Sequence, residues 1–176
     1  SACLVGSEMC IRDRGWAPPP AARLPPPPPT ADEAAAIAAL VRASITELCL
    51  DDHGGDSDII DRLLENKTED ALRDWLSRDD RTIFVTDSDD GIAAAGCHDT
   101  RGVVLMNYIA PSHRLKGISN AMLTHLETAM RQAGISESRL VSTATARRFY
   151  EARGWQAYGE LIPCMGVTGQ PMRKRL

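Results

Sequence analysis

The sequence predicts a mixed α/β domain: a mostly antiparallel central sheet covered by helices on both faces. Three observations predict it. Apolar residues recur at helical spacing as far as Leu76, three strand-like runs follow one another from Arg81 to Ala110, and strand and helix patterns alternate after that. With 176 residues, 43% hydrophobic and 25% charged, the chain can bury a substantial core as one domain.

Residues 1–15, "SACLVGSEMCIRDRG", lack the cationic start and unbroken apolar segment of a signal peptide. They resemble translated sequencing-adapter read-through, and Ser1 in place of Met suggests a fragment. "WAPPPAARLPPPPPT" favours polyproline II and cannot donate to a strand ladder. A stiff leader is favoured over a ligand for a proline-binding domain. Residues 1–29 are therefore expected to be a disordered leader and 30–176 the domain.

Thr30 and Glu33 form a T-x-x-E capping box ahead of a helix whose Ile37, Leu40, Val41, Ser44, Ile45 and Leu48 share one face. A second helix covers "SDIIDRLLEN". A third opens at Thr68, with Glu69 and Asp70 at its positive start, and buries Leu72, Trp75 and Leu76. "RTIFVTD" and the alanine-rich "IAAAGCHD" make a hairpin across the turn "SDDG". "GVVLMNYIA" is apolar enough for a central strand and stops at Pro111. A helix from Ile118 to Ala133 carries Ile118, Met122, Leu126, Ala129 and Ala133 on one stripe and ends at Gly134. "SRLVS" is a strand, "TATARRFYEAR" a helix ended by Gly154, and "WQAYGELI" and "PMRKRL" closing strands.

A net charge of −4 supplies no basic face for nucleic acid, and no apolar run approaches the roughly 18 residues of a membrane span. Neither partner is expected. The five cysteines (Cys3, Cys10, Cys49, Cys97, Cys164) and four histidines (His53, His98, His113, His125) show no C-x-x-C and no metal-ligand spacing. No disulfide framework and no metal are expected, and a reducing cytoplasm fits best.

The chemistry concentrates in "APSHRLKGISNAML". A strand that runs through a glycine turn into a helix exposes unpaired backbone N–H groups at the positive end of the helix dipole. Gly117 allows an oxygen-rich ligand to approach the backbone, and Arg114 and Lys116 add charge. Hydrogen bonds to a charged acceptor contribute ~1.5–3 kcal/mol each, so four of them, less ordering costs, approach the ~8 kcal/mol of a micromolar ligand. Neither a P-loop nor G-x-G-x-x-G is present.

This stretch resembles the coenzyme A signature of GNAT-type N-acyltransferases, [RQ]-x-x-G-x-[GA], with Arg114 and Gly117 in the first and fourth places and Ser119 where Gly or Ala is usual. "STATARRFYEARGW" resembles the family's later motif, with Thr143 where Asn is common, Ala146 as the small residue and Tyr150 as the tyrosine. The likeness covers roughly residues 30–176. "RLPPPPP" stands where the family has its first edge strand, which leaves that strand missing, distorted or upstream.

The resemblance implies the GNAT fold, acetyl-CoA as cosubstrate, and direct transfer of its acetyl group to a primary amine of a small molecule or peptide. A non-catalytic acyl-CoA-binding or protein-interaction module is the alternative, and the enzyme would be a monomer or homodimer. It further implies that two strands splay, that Asn107, Tyr108, Ile109 and Ala110 line the pantetheine arm, and that the Ile109 amide faces the thioester oxygen. Arg114, Leu115, Lys116, Gly117, Ile118, Ser119 and Asn120 would hold the pyrophosphate with Thr143 nearby, and Tyr150 would be the general acid. The base stays unassigned among His98, Glu65 and His53. Asp51, Asp52, Asp56 and Asp58 could attract a cationic acceptor.

Overall fold

The computed structural model describes residues 28–176. The adapter-like stretch and nearly all of the proline run lie outside the described residues. The Glu33 carboxylate accepts from the Thr30 amide at 2.7 Å, heading a 3-10 turn that runs into α1 (Ala34–Leu48). All six residues expected on the inner face of α1 are buried. Among the described residues no strand precedes it.

A one-turn helix, α2 (Leu50–His53), was not evident from periodicity, because four residues are too few to show one. Asp56 caps α3 (Ser57–Leu64), and the Thr68 hydroxyl oxygen caps α4 (Glu69–Leu76) by accepting from the Ala71 amide. In α4 Leu72 is buried, while Trp75 and Leu76 are half-buried against the core.

β1 (Arg81–Ser88), β2 (Gly91–Asp99) and β3 (Val104–Ile109) form an antiparallel meander. Every residue of β3 is buried, as expected of a strand covered on both faces. The small residues of β2 let α5 (Ile118–Gln132) approach closely: a Cβ on Gly96 would stand 2.6 Å from Met122 Sδ. After α5 come β4 (Glu137–Ser142), α6 (Ala144–Glu151), β5 (Gln156–Ala157), β6 (Ile162–Cys164) and β7 (Val167–Arg175). The second sheet has the order β4-β7-β5, with β6 paired to β7. The run "WQAYGELI" is therefore two short strands, interrupted where Gly159 takes a φ of +66°, and "PMRKRL" ends a strand that starts at Val167.

The sheet is mixed and mostly antiparallel, with helices on both faces, and it is divided. Its halves meet at one parallel bridge, Val103 with Arg139. There the Arg139 amide donates to the Gly102 carbonyl at 3.0 Å, and the Ser138 hydroxyl to the same carbonyl at 2.9 Å. One core cluster lies under α1, α3 and α4, the other under α5 and α6.

The inner stripe of α5 differs from the expected one. Met122 and Leu126 are buried with Ser119, Leu123, Glu127 and Met130; Ile118 packs half-buried against the same core, whereas Ala129 is half-buried and Ala133 exposed. Glu127 can face inward because it accepts from Trp155 Nε1 at 2.9 Å and Lys174 Nζ at 2.8 Å. Gly134, at φ +79°, ends the helix, and the Ile135 amide reaches back to the Met130 carbonyl. Cys49 and Cys97 are buried thiols, and burial pushes Cys97 up to about 12. Cys164 is disulfide-bonded, which the scattered cysteine spacing did not predict. Among the described residues no helix is long and apolar enough to cross a membrane, and no group of three or more metal-ligating side chains could hold an ion.

Candidate active site

The site forms where the two half-sheets part. From the bridge at Val103, β3 and β4 run in parallel without further pairing, so the end of β3 has an open edge towards β4. The Ala110 amide donates across to Ala93 on β2 at 2.8 Å. Alternation along an antiparallel ladder then turns the Ile109 amide the other way, to the open edge.

Pro111 stops the strand and starts a 3-10 turn, Pro111–His113. Two left-handed residues follow, Leu115 at φ +64° and Gly117 at φ +75°, the second being the N-cap of α5. Glycine takes that conformation without penalty, whereas a leucine is held there only by its surroundings. The loop leaves a run of backbone donors unused. Among the described residues nothing accepts from the amides of Leu115, Lys116, Gly117, Ile118, Ser119 and Asn120; the next amide, of Ala121, donates to the Gly117 carbonyl at 3.1 Å.

Arg114, Leu115 and Lys116 are exposed, while Ser119 is buried. The Ser119 Oγ has no hydrogen-bond partner, an arrangement that costs stability unless a ligand meets it. The Asn120 side-chain oxygen is already engaged, accepting from Arg153 Nε at 2.5 Å, which leaves its side-chain NH₂ and its backbone amide as donors. Arg153 in turn lies over the Phe149 ring, 3.9 Å from its centre.

On the other side of the opening, α6 starts at Thr143, whose hydroxyl oxygen accepts from the Ala146 amide at 3.2 Å. That cap gives Thr143 a structural role beside any contact with a ligand. Tyr150 is fully buried, its ring edge-on to Phe149 and Trp155. Asn107 Nδ2 donates to its hydroxyl over a long 3.4 Å, and Asn107 Oδ1 has no partner. Burial pushes Tyr150 well above the ordinary phenol value.

A narrow crevice of about 20 Å³, room for about one water, lies beside the opening. Its walls include Cys49, Asp52, Lys67, Tyr108 and Thr143. Asp52 Oδ1 accepts from the Thr145 amide at the start of α6, while Oδ2 is buried without a partner. Of the acidic loop only Asp52 reaches this crevice; Asp56 caps α3, and Asp51 and Asp58 are exposed.

The three candidate bases are elsewhere. His53 is buried with both ring nitrogens in use, on the Ile45 carbonyl and the Gly55 amide. His98 pairs with Val104 at the start of β3, the wrong end of the strand. Glu65 is exposed after α3.

Lys67 was missed in the sequence because "ENKTED" has neither periodicity nor motif. Burial lowers Lys67 from 10.5 to about 8.

Comparison with known proteins bears on the family and the fold. A family model described as an acetyltransferase (GNAT) domain matches residues 52–176. The fold is similar to a GCN5-related N-acetyltransferase from Rhodopseudomonas palustris, at 19% identity and a TM-score of 0.75 over 85% of this chain and 93% of that one. It is also similar to the PaiA N-acetyltransferase from Thermoplasma acidophilum in complex with coenzyme A, at 18% identity and a TM-score of 0.68 over 84% and 95%. An aminoglycoside 6'-acetyltransferase type Ii aligns at 15% identity and a TM-score of 0.59 over 82% and 88%. No curated protein matches the sequence.

Proposed function

The chain belongs to the acetyltransferase (GNAT) domain family and is an acyltransferase, and from that premise we propose that it transfers an acetyl group from acetyl-CoA to the amine of a small molecule or peptide. The observation that carries this reading is the run of unused amides from Leu115 to Asn120 with the unpartnered Ser119 hydroxyl behind them. Donors left idle at a helix start suit a diphosphate, and Arg114 and Lys116 add cations at its rim.

When bound, acetyl-CoA supplies an activated acyl thioester. The open edge of β3 from Asn107 to Ala110, with Tyr108, pairs with the pantetheine arm. The Ile109 amide donates to the thioester oxygen as charge develops there. Tyr150 holds a proton at the parting of the sheets for the departing sulfur. Burial raises its pKa, which keeps the hydroxyl protonated until a thiolate forms beside it. Asp52, with one carboxylate oxygen unpaired, orients an incoming ammonium in the crevice. The enzyme acts by proximity and a preformed set of donors.

Thermal unfolding tests the reading. At 100 times its Kd, acetyl-CoA stabilises by about 2.7 kcal/mol, roughly 5–10 °C for a domain of this size. Gly117→Glu places a carboxylate among the amides, at a φ of +75° that L-residues resist, and removes the shift. Identical melting of wild type with and without acetyl-CoA would refute the proposal.

A further inference from the structure

We propose that Lys67 is itself an acylation site: its amine lies in the acceptor crevice and takes the acyl group when no other amine is there. The inference rests on the acyl-CoA reading above. Its basis is position. The crevice that Lys67 lines is also walled by Tyr108 and Thr143, which stand at the two strand ends between which the sheet opens. Any thioester held by the β3 edge therefore faces the crevice.

The chemistry of the amine agrees. Lys67 is half-buried after α3, and its Nζ donates to the side-chain oxygen of Asn66. Among the described residues no carboxylate forms an ion pair with it. The ionisable groups that share the crevice are Asp52, Cys49 and Tyr108. Burial with no ion pair holds the amine at about 8, so roughly a quarter of it is neutral at pH 7.5. That is on the order of a hundredfold more than for an exposed lysine.

The step balances without oxidant or reductant. The Nζ lone pair forms a C–N bond to the acyl carbon, and the C–S bond breaks with its electron pair going to sulfur. The proton shed by nitrogen ends on the CoA thiol. The acylated side chain is neutral and longer, and it fills a crevice that otherwise admits the acceptor, so the modification lowers turnover.

The chain has three lysines, and the other two are internal references. Lys116 is exposed on the cradle loop, and Lys174 pairs with Glu127 at 2.8 Å. Native enzyme is incubated with acetyl-CoA and no acceptor, and the acetylated peptides are followed by mass spectrometry. Lys67 is expected to be modified about tenfold faster than Lys116 or Lys174, and this advantage is expected to vanish in urea. Lys67→Arg is expected to take no label there and to keep the acetyl-CoA melting shift. Equal rates at the three lysines, or an advantage that survives unfolding, would overturn the proposal. An unmodified Lys67 with the melting shift intact would overturn it alone, whereas loss of the shift in wild type would remove the acyl-CoA reading as well.

Discussion

At Tyr150 the ring and the hydroxyl have separable roles. The ring packs at 5.0 Å from Phe149 and 5.8 Å from Trp155, which makes it part of the core beneath α6. Among the described residues the hydroxyl meets Asn107 alone as a hydrogen-bond partner, at 3.4 Å. Tyr150→Phe keeps the ring and removes the proton. Turnover is expected to fall by about 10²–10⁴ while the acetyl-CoA melting shift is retained. A large loss of that shift would make Tyr150 a packing residue alone. Glu127 shows the opposite case, a charge that acts in stability. Its carboxylate takes hydrogen bonds from Trp155 and Lys174 and so ties α5 to β7. A glutamate on the buried stripe is not visible in the hydrophobic pattern, because the pattern scores it as solvent-facing and, besides Arg131 one turn on, its partners lie 28 and 47 residues away.

Among the elements, α5 and β2 decide how closely the cradle sits on the sheet. The alanines of β2 looked like a weak strand in the sequence, and their reason is the helix above them. At Gly96 a Cβ would fall 2.6 Å from Met122 Sδ and 3.2 Å from Leu126 Cδ1. The Met122 thioether can swing aside for one methyl group, so Gly96→Ala is expected to be mild. Gly96→Val forces α5 outward and is expected to cost about 1–3 kcal/mol in denaturant unfolding, with weaker acetyl-CoA binding because the start of α5 moves too. A stability within about 0.5 kcal/mol of wild type, roughly the scatter of neutral surface changes, would show that the packing is looser than the geometry implies. The strand-turn-helix order around Gly117 was legible because proline, glycine and apolar periodicity act locally. The small helix α2 and the break at Gly159 were not, since each spans too few residues for a period.

For the whole molecule, the division of the sheet is the feature that opens the candidate site. Its halves are joined at Gly102, where an added Cβ would meet Ile135 at 2.6 Å and the Glu137 carbonyl at 2.9 Å, and they part towards Ile109 and Ser142. Hydrogen exchange reads this directly. The Ala110 amide, bonded to Ala93, is expected to be protected in the free protein, whereas those from Leu115 to Asn120 exchange fast and slow markedly when acetyl-CoA is added. Protection of those amides before any ligand is added would mean they already have acceptors. Sequence alone determined the types of the longer elements, the glycine turn and the family's two motifs, because these depend on neighbours within a few residues. Tertiary structure alone decided that β3 and β4 separate, that Asp52 and Lys67 reach one crevice, and that Glu127 points inward. Those outcomes depend on which distant side chains remove each other from water, and no short stretch of chain carries that information.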